Sequence, residues 1–315
     1  MKVVLHYRAS DGFRAALVHS AVLAGVDAVV VDETDEPGFV REIADADVLL
    51  HVLKPVTAAM VAAGPRLKLV QKLGVGVNTI DLEACKAGGV AVANMPGTNS
   101  QAVAEMTLAL MLAVLRRLSY LDPLTRRGEG WSPDLGLMDG VGELRGRTVG
   151  FVGYGASPSR LGSALEVLGA RVIYTARSAK PDLPGQFTDL PTLLAQADMV
   201  SLHVPLTADT ERLINAEALA AMKPGAILIN TARGGLVDES ALAAALKSGH
   251  LRGAGLDVFA QEPVDPTNPL LALPTVVAAP HMAWLTPETL DRSLAVAFEN
   301  CRRLADGEPL LNRVV

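Results

Sequence analysis

The chain has 315 residues, enough for about two domains. Half are hydrophobic and 20% are charged, so each domain can bury a substantial core, and the 28 glycines and 19 prolines are too dispersed for a collagen-like or disordered chain. Lys and Arg number 28 against 34 Asp and Glu, a net charge of −6, which excludes a global pull toward nucleic acid or an anionic membrane; an anionic substrate must meet a local cationic site.

Two cysteines, Cys85 and Cys301, are too few for a disulfide framework, and a cytoplasmic setting is expected. The opening MKVVLHYRAS lacks the apolar core of a signal peptide. The longest apolar stretch, Met106 to Leu115, falls far short of the roughly 20 residues that span a bilayer.

Short Val/Ile/Leu-rich runs alternate with Ala/Leu-rich helical stretches from end to end. Strands are predicted at Val3–His6, Asp27–Val31, Asp47–Val52, Lys68–Leu73 and Val90–Ala93. A second series is predicted at Thr148–Val152, Arg171–Thr175, Met199–Val204, Ala226–Asn230, Gly255–Val258 and Val276–Ala279. Strands this uniformly apolar are covered on both faces, which implies two doubly wound α/β units with parallel sheets. The boundary is expected near Met95-Pro96-Gly97, followed by a helix over about Ser100–Leu118 that is apolar on nearly all sides and is expected to be buried between domains or subunits. Residues 120–147, rich in Gly, Pro, Asp and Arg and containing Trp131, read as an arm or long loop.

The strongest local motif starts at Thr148. A strand runs into Gly153-Tyr154-Gly155, then a helix opening at Ala156-Ser157-Pro158, then a second strand ending near Thr175. Gly153 permits the tight turn, and Gly155 lets backbone approach a pyrophosphate at a helix N-terminus. Where a third glycine is usual stands Pro158, acceptable if Ser157 caps the helix and Pro158 is its first residue. At the second strand's end an NAD site places an acid for the ribose hydroxyls; this chain has Ala176, then Arg177, Ser178 and Lys180. With no carboxylate to repel a 2′-phosphate and a guanidinium to hold it, NADP(H) is predicted over NAD(H), which remains usable.

Four further residues fall at successive strand ends: Arg233 in Asn-Thr-Ala-Arg-Gly, Asp257 in Gly-Leu-Asp-Val-Phe, Glu262 in Gln-Glu-Pro, and His281 in Pro-His-Met-Ala-Trp. Ligands of open parallel sheets bind outside the carboxyl ends of the strands, so these side chains can converge beside the nucleotide. Singly, each has a structural alternative: Arg233 as a salt-bridge arginine, His281 as a packing imidazole, Glu262 as turn punctuation. His6, His19 and His250 carry no motif. His51, near a strand end, reads either as substrate contact or as core. No cluster has metal-ligand spacing, and no Gly-x-Ser-x-Gly elbow occurs.

Together with LGVGVNTIDLEA (Leu73–Ala84), NMPGTNSQAVAE (Asn94–Glu105), HVPLTADT (His203–Thr210) and NTARGGLVDE (Asn230–Glu239), these motifs make nearly the whole chain resemble the D-isomer-specific 2-hydroxyacid dehydrogenase family. The resemblance implies a Rossmann coenzyme domain, 96–287, inserted into a flavodoxin-like substrate domain, 1–95 with 288–315, usually in a homodimer. It also implies that Asp257 contacts the nicotinamide end, with Thr107, His203, Val204, Pro205, Thr210, Thr231 and Ala232 along the cofactor.

The chemistry follows from residue types. Arg233 suits a substrate carboxylate and the carbonyl beside it, and backbone N–H groups at Val75 and Gly76 suit a second carboxylate oxygen. His281 suits proton transfer, with Glu262 holding the imidazole and favouring its protonated form. Expected wall residues are Val52, Leu53, Val75, Trp284 and Leu285, with no arginine pair for a substrate phosphate. The expected activity is NADPH-dependent reduction of a small 2-oxo acid, glyoxylate or hydroxypyruvate-like, to the D-2-hydroxy acid. A phosphoglycerate or D-lactate dehydrogenase-like enzyme, and a non-enzymatic dinucleotide-sensing corepressor-like protein, stay open at this point.

Overall fold

A strand with no polar face must be covered on both sides, and the chain solves this problem twice. The computed structural model describes residues 1–131 and 140–315. They divide into two units, Met1–Asn99 with Trp284–Val315, and Ser100–Ala283.

In the first unit the elements alternate strictly: β1 (Lys2–His6), α1 (Asp11–Ala24), β2 (Asp27–Val31), α2 (Glu36–Ile43), β3 (Val48–His51), α3 (Ala58–Ala62), β4 (Leu69–Lys72), α4 (Leu82–Ala87) and β5 (Ala91–Ala93). The strands pair in parallel in the order β2-β1-β3-β4-β5, the flavodoxin-like arrangement. Ser10, Asp35, Thr57 and Asp81 cap the four helices, each accepting a backbone N–H from the first turn. Alternate strand residues feed two separate cores. Leu5, Leu50 and Leu69 meet Leu17 and the C-terminal helix Pro287–Asp306 through Leu294 and Phe298. Val4, Leu49 and Val70 meet Phe39, Ile43 and Cys85 on the other face.

The second unit runs α5 (Ser100–Leu115), α6 (Leu118–Arg126), β6 (Thr148–Val152), α7 (Ala156–Val167), β7 (Arg171–Thr175), β8 (Gln186–Phe187), α8 (Leu190–Gln196), β9 (Met199–Leu202), α9 (Ala216–Ala221), β10 (Ala226–Asn230), α10 (Glu239–Lys247), β11 (Leu251–Leu256) and β12 (Val276–Ala278). Its parallel sheet has the order β12-β11-β10-β9-β6-β7-β8, so the strand order reverses between β6 and β9, where a Rossmann fold opens its crevice.

Most predicted strands are found within one or two residues of their expected limits, and three readings need correction. The helix from Ser100 stops at Leu115, because Arg117 turns left-handed (φ 52°), and α6 begins where a loop was expected. Its Pro123 and polar composition concealed it. Of the expected arm, residues 132–139 lie outside the described residues. Within its unit, α5 packs against α7 and strands β10 to β12. Finally, β11 starts at Leu251, not Gly255. Its glycines let α5 lie close: a Cβ on Gly255 would stand 2.8 Å from Ile229 Cδ1 and 2.9 Å from Leu110 Cβ.

Gly255→Ala is therefore expected to destabilise the second unit by about 1–3 kcal/mol through overpacking, read as a lowered urea midpoint. Gly12→Ala, where a Cβ meets nothing within 4 Å, serves as the control and is expected to be neutral or slightly stabilising. Equal effects at the two positions would refute the close-approach argument.

Candidate active site

The ladders of the seven-stranded sheet set one row of residues side by side: Thr175, Val152, Leu202, Asn230, Leu256 and Ala278. The next residue along each chain therefore emerges at the same edge, and these are Ala176, Gly153, His203, Thr231, Asp257 and Ala279.

At the β6 end, Gly153 has φ 89°, and a Cβ there would be 2.7 Å from the His203 carbonyl oxygen. Only glycine fits. Gly155 is the N-cap of α7 and offers no capping side chain, and the space a Cβ would fill is open. The N–H groups of Ala156 and Ser157 have no acceptor among the described residues. This bare helix terminus behind an open glycine fits a pyrophosphate. The expected cap is corrected: Gly155 takes that place, so Ala156, Ser157 and Pro158 are the first three helical residues. Pro158 is tolerated because its missing N–H lies in the first turn, where no helical acceptor is reached.

The tight helix–strand approach that a third glycine usually allows is supplied by Gly162, a residue the sequence reading passed over. A Cβ on Gly162 would lie 2.5 Å from the Tyr154 hydroxyl. Tyr154 itself is 4% exposed and turns its side chain into the core, leaving only its backbone in the glycine turn. Beyond β7, Arg177, Ser178 and Lys180 are exposed.

His203 is held by Ser201 Oγ (2.8 Å) and lies edge-on to Phe151, and burial pushes its pKa down to about 3, so it is a neutral imidazole. Pro205 is exposed, and Val204 packs partly against the core. Thr210 closes the 205–210 turn by donating to the Pro205 carbonyl at 2.7 Å. Thr107 of α5 and Thr231 meet hydroxyl to hydroxyl at 3.0 Å.

Arg233 sits three residues past β10 on a turn that Asn230 staples. Asn230 Oδ1 accepts the Ala232 N–H (3.0 Å), and its Nδ2 donates to the Arg233 carbonyl (2.9 Å). Gly234 follows because any Cβ there would overlap the backbone of Phe259 and Ala260. Burial depresses the Arg233 pKa, and the charge of Glu262 opposes that fall.

Glu262 bridges two groups: Oε1 accepts the Phe259 N–H at 3.0 Å, and Oε2 stands 2.6 Å from His281 Nδ1. Burial would raise its carboxyl, but the bond and charge of His281, the Phe259 N–H and Arg233 outweigh it and hold the group below the usual carboxylate range. Glu239, to which no role was assigned from sequence, anchors the same loop by accepting the Ala260 N–H at 2.6 Å and the Asn268 amide at 2.8 Å.

His281 is left-handed (φ 55°), an unfavourable conformation for a residue with a Cβ. Asp257 maintains it. The Asp257 carbonyl accepts the His281 N–H (2.7 Å), and its carboxylate oxygens accept those of Met282 (2.8 Å) and Ala283 (2.9 Å). The carboxylate that the resemblance directs to the nicotinamide end is thus engaged in holding the turn. Burial raises its pKa, and the two N–H bonds offset this only in part.

In the first unit, the loop after β4 runs through Gly74 (φ 143°) to an exposed Val75. The Val75 and Gly76 N–H groups have no acceptor among the described residues, and Asn94 Nδ2 holds the Val75 carbonyl at 2.8 Å. Leu53 and Trp284 pack partly against the same apolar cluster, in which Val52 is fully buried. His51 is only 2% exposed, so it belongs to the core. Among the described residues, no group of three or more His, Cys, Asp or Glu is placed to hold a metal ion, and no helix is long and apolar enough to cross a membrane.

What this edge of the second unit can do is hold a dinucleotide and move a proton beside it, which places the protein among the nucleotide-dependent oxidoreductases. Residues 108–283 match the family described as D-isomer specific 2-hydroxyacid dehydrogenase, NAD binding domain. A glyoxylate reductase of Aeropyrum pernix is 40% identical over 283 residues, covering 86% of this chain and 84% of that protein. A D-3-phosphoglycerate dehydrogenase of Mycobacterium leprae is 41% identical over 300 residues, covering 93% of this chain but only 56% of that protein. Among solved structures, the TT0316 protein of Thermus thermophilus is similar with a TM-score of 0.89 at 39% identity, covering 100% of both chains. The chain belongs to the D-isomer-specific 2-hydroxyacid dehydrogenases. It is an NAD(P)-dependent enzyme of 2-oxo and 2-hydroxy acids.

The burial of His51 has a measurable consequence. Burial, aided by the Lys72 charge, lowers its pKa from 6.5 to about 3. As pH drops below 6.5, the unfolded chain takes up a proton that the folded one refuses, so stability falls with pH down to about 3. Between pH 7 and 5 this contributes about 2 kcal/mol of loss. In urea unfolding at those two pH values, His51→Gln is expected to remove that component. A wild-type-to-variant difference that is independent of pH would refute it.

Proposed function

We propose that the enzyme reduces a small 2-oxo acid, glyoxylate or hydroxypyruvate in type, to the D-2-hydroxy acid, with NADPH as its preferred reductant. The observation that carries this reading is the 2.6 Å contact between Glu262 and His281 Nδ1. It commits one ring nitrogen to the carboxylate and leaves Nε2 without an acceptor or donor among the described residues. His281 Nε2 is then the proton donor to the C2 oxygen, and in the reverse direction the base. Glu262 compensates the imidazolium charge and orients the ring.

Arg233 draws on the substrate carboxylate and polarises the neighbouring carbonyl, on a backbone turn held by the Asn230 staple. When bound, the reduced nicotinamide supplies the hydride to C2. Asp257, Thr107 and Thr231 shape the cofactor end of the second unit. In the first unit, the Val75 and Gly76 N–H groups suit a carboxylate oxygen, and Leu53 and Trp284, both packed partly against one core cluster, would supply an apolar wall. That wall supports an uncharged, small substrate group. The glyoxylate reductase likeness points the same way, whereas the phosphoglycerate dehydrogenase likeness spans only about half of that protein.

The NADPH preference rests on Ala176 standing where a carboxylate would bind ribose hydroxyls, with Arg177 exposed beside it. Arg177→Ala is expected to raise KM for NADPH about tenfold, the loss of one charge-assisted contact, and to leave NADH unaffected. A wild-type preference for NADH would overturn this part of the reading.

A panel of 2-oxo acids assayed by NADPH oxidation tests the substrate class. Glyoxylate and hydroxypyruvate are expected to turn over, and activity confined to phosphohydroxypyruvate would contradict the proposal. His281→Ala is expected to lower kcat by about 10²–10⁴-fold. Arg233→Ala is expected to cost on the order of 2–5 kcal/mol in kcat/KM, with KM for the oxo acid raised. Near-wild-type turnover in either variant would remove the role assigned to it.

A further inference from the structure

Between β7 and β8 the chain passes through residues 176–185, which have no ladder or helical bonds to hold them and which carry Arg177, Ser178 and Lys180 at the surface. Two buried tyrosines supply the missing anchorage. Tyr174, on β7 and 1% exposed, accepts the Lys180 N–H on its hydroxyl at 2.7 Å. Tyr154, in the glycine turn, donates its hydroxyl to the Pro184 carbonyl at 2.6 Å. Their rings stack, with centroids 4.0 Å apart and planes 10° from parallel. Tyr174 also leans on Phe187, and its own carbonyl accepts the Thr188 N–H at 2.9 Å.

Phenylalanine would fill the same volumes without burying a polar group. A buried hydroxyl is unfavourable unless it finds a partner, and both of these find backbone groups of one loop. Burial pushes the Tyr154 pKa up to about 12, so it remains a donor across the working pH range. The notch left by Gly162 seats that hydroxyl, and Gly185 (φ 95°) turns the loop back against Val172.

We propose that Tyr154 and Tyr174 are a positioning clamp that ties the glycine turn to the 176–185 loop, so that Arg177, Ser178 and Lys180 are presented in fixed register to the 2′-phosphate of the cofactor. The clamp's effect on cofactor choice rests on the NADPH reading above. Tyr174 closes the short segment 174–180 at both ends, by its place in β7 and by its hydroxyl. The ordering entropy of that segment is thereby met before any ligand arrives, which is where a preformed site gains affinity.

The test uses the full-length protein without substrate and compares wild type, Tyr154→Phe and Tyr174→Phe. Calorimetry measures binding of adenosine 2′,5′-bisphosphate and of 5′-AMP, and amide hydrogen exchange follows Lys180. Each variant is expected to bind the bisphosphate about tenfold more weakly, the worth of one net hydrogen bond, with 5′-AMP within twofold. The Lys180 amide is expected to exchange faster in Tyr174→Phe. Equal weakening of both ligands would reduce the tyrosines to general packing and overturn the proposal, as would unchanged bisphosphate affinity. If wild type binds the two nucleotides equally, the NADPH reading fails. The clamp is then judged by exchange alone: faster exchange at Lys180 in Tyr174→Phe upholds it, and unchanged exchange overturns it.

Discussion

The lateral register of the seven-stranded parallel sheet is the constraint on which the site of the second unit depends. Thr175, Val152, Leu202, Asn230, Leu256 and Ala278 lie in one row. The residues that leave the sheet after them begin the glycine turn, the His203 wall, the Arg233 turn, the Asp257 support and the His281 turn. In a strand, a slip of one residue exchanges its two faces. In β10, Leu228 packs in one core and Ile227 with Ile229 in the other, so such a slip would have to repack both. Residues separated by more than a hundred positions in the chain thus meet because apolar side chains fix their strands.

Past the row, the backbone takes conformations that the ladder does not enforce, and buried acceptors take over. His281 at φ 55° is held by one carbonyl and one carboxylate of Asp257. The Arg233 turn is held by Asn230, and the Glu262 loop by Glu239. The two carboxylates nearest His281 consequently diverge. Glu262, paired with the ring, lies below the usual range; Asp257, bonded to backbone in a buried place, lies above it. Glu262 thus partners the imidazole, while both oxygens of Asp257 are engaged by backbone N–H groups.

Much of this was legible in the sequence because it rests on residue type and period. Uniformly apolar runs marked the buried strands, and the glycine turn between strand and helix marked the nucleotide edge. The parts that were not legible depend on distance. The start of β11 was expected at Gly255 and not at Leu251, and nothing local reveals that α5 lies against Gly253 and Gly255. Gly162 replaces the missing third glycine one helical turn later, a substitution visible only when Tyr154 is seen to fill the notch. The cap of α7 was expected at Ser157 so that Pro158 would open the helix, whereas the helix starts two residues earlier, with Gly155 as its cap. Asn230 and Glu239 stood inside quoted motifs, but they act on backbone groups and leave no pattern of their own. Tyr154 was counted with the cofactor turn by position, while its side chain points the other way.

That last reversal bears on how a chain of net charge −6 manages two anionic ligands. Averaged over the surface, its charge repels them, so recognition must come from a few groups whose positions are determined in advance. A guanidinium on a slack loop loses part of its attraction in becoming ordered. The same guanidinium on a loop tied to buried rings loses less of it, and a modest number of cations then suffices. On the proposed reading, Arg233, whose backbone is stapled by Asn230 on β10, and Arg177, on a loop bonded to Tyr154 and Tyr174, are two versions of this arrangement. In both, an uncharged polar side chain fixes backbone of the turn or loop that carries the arginine.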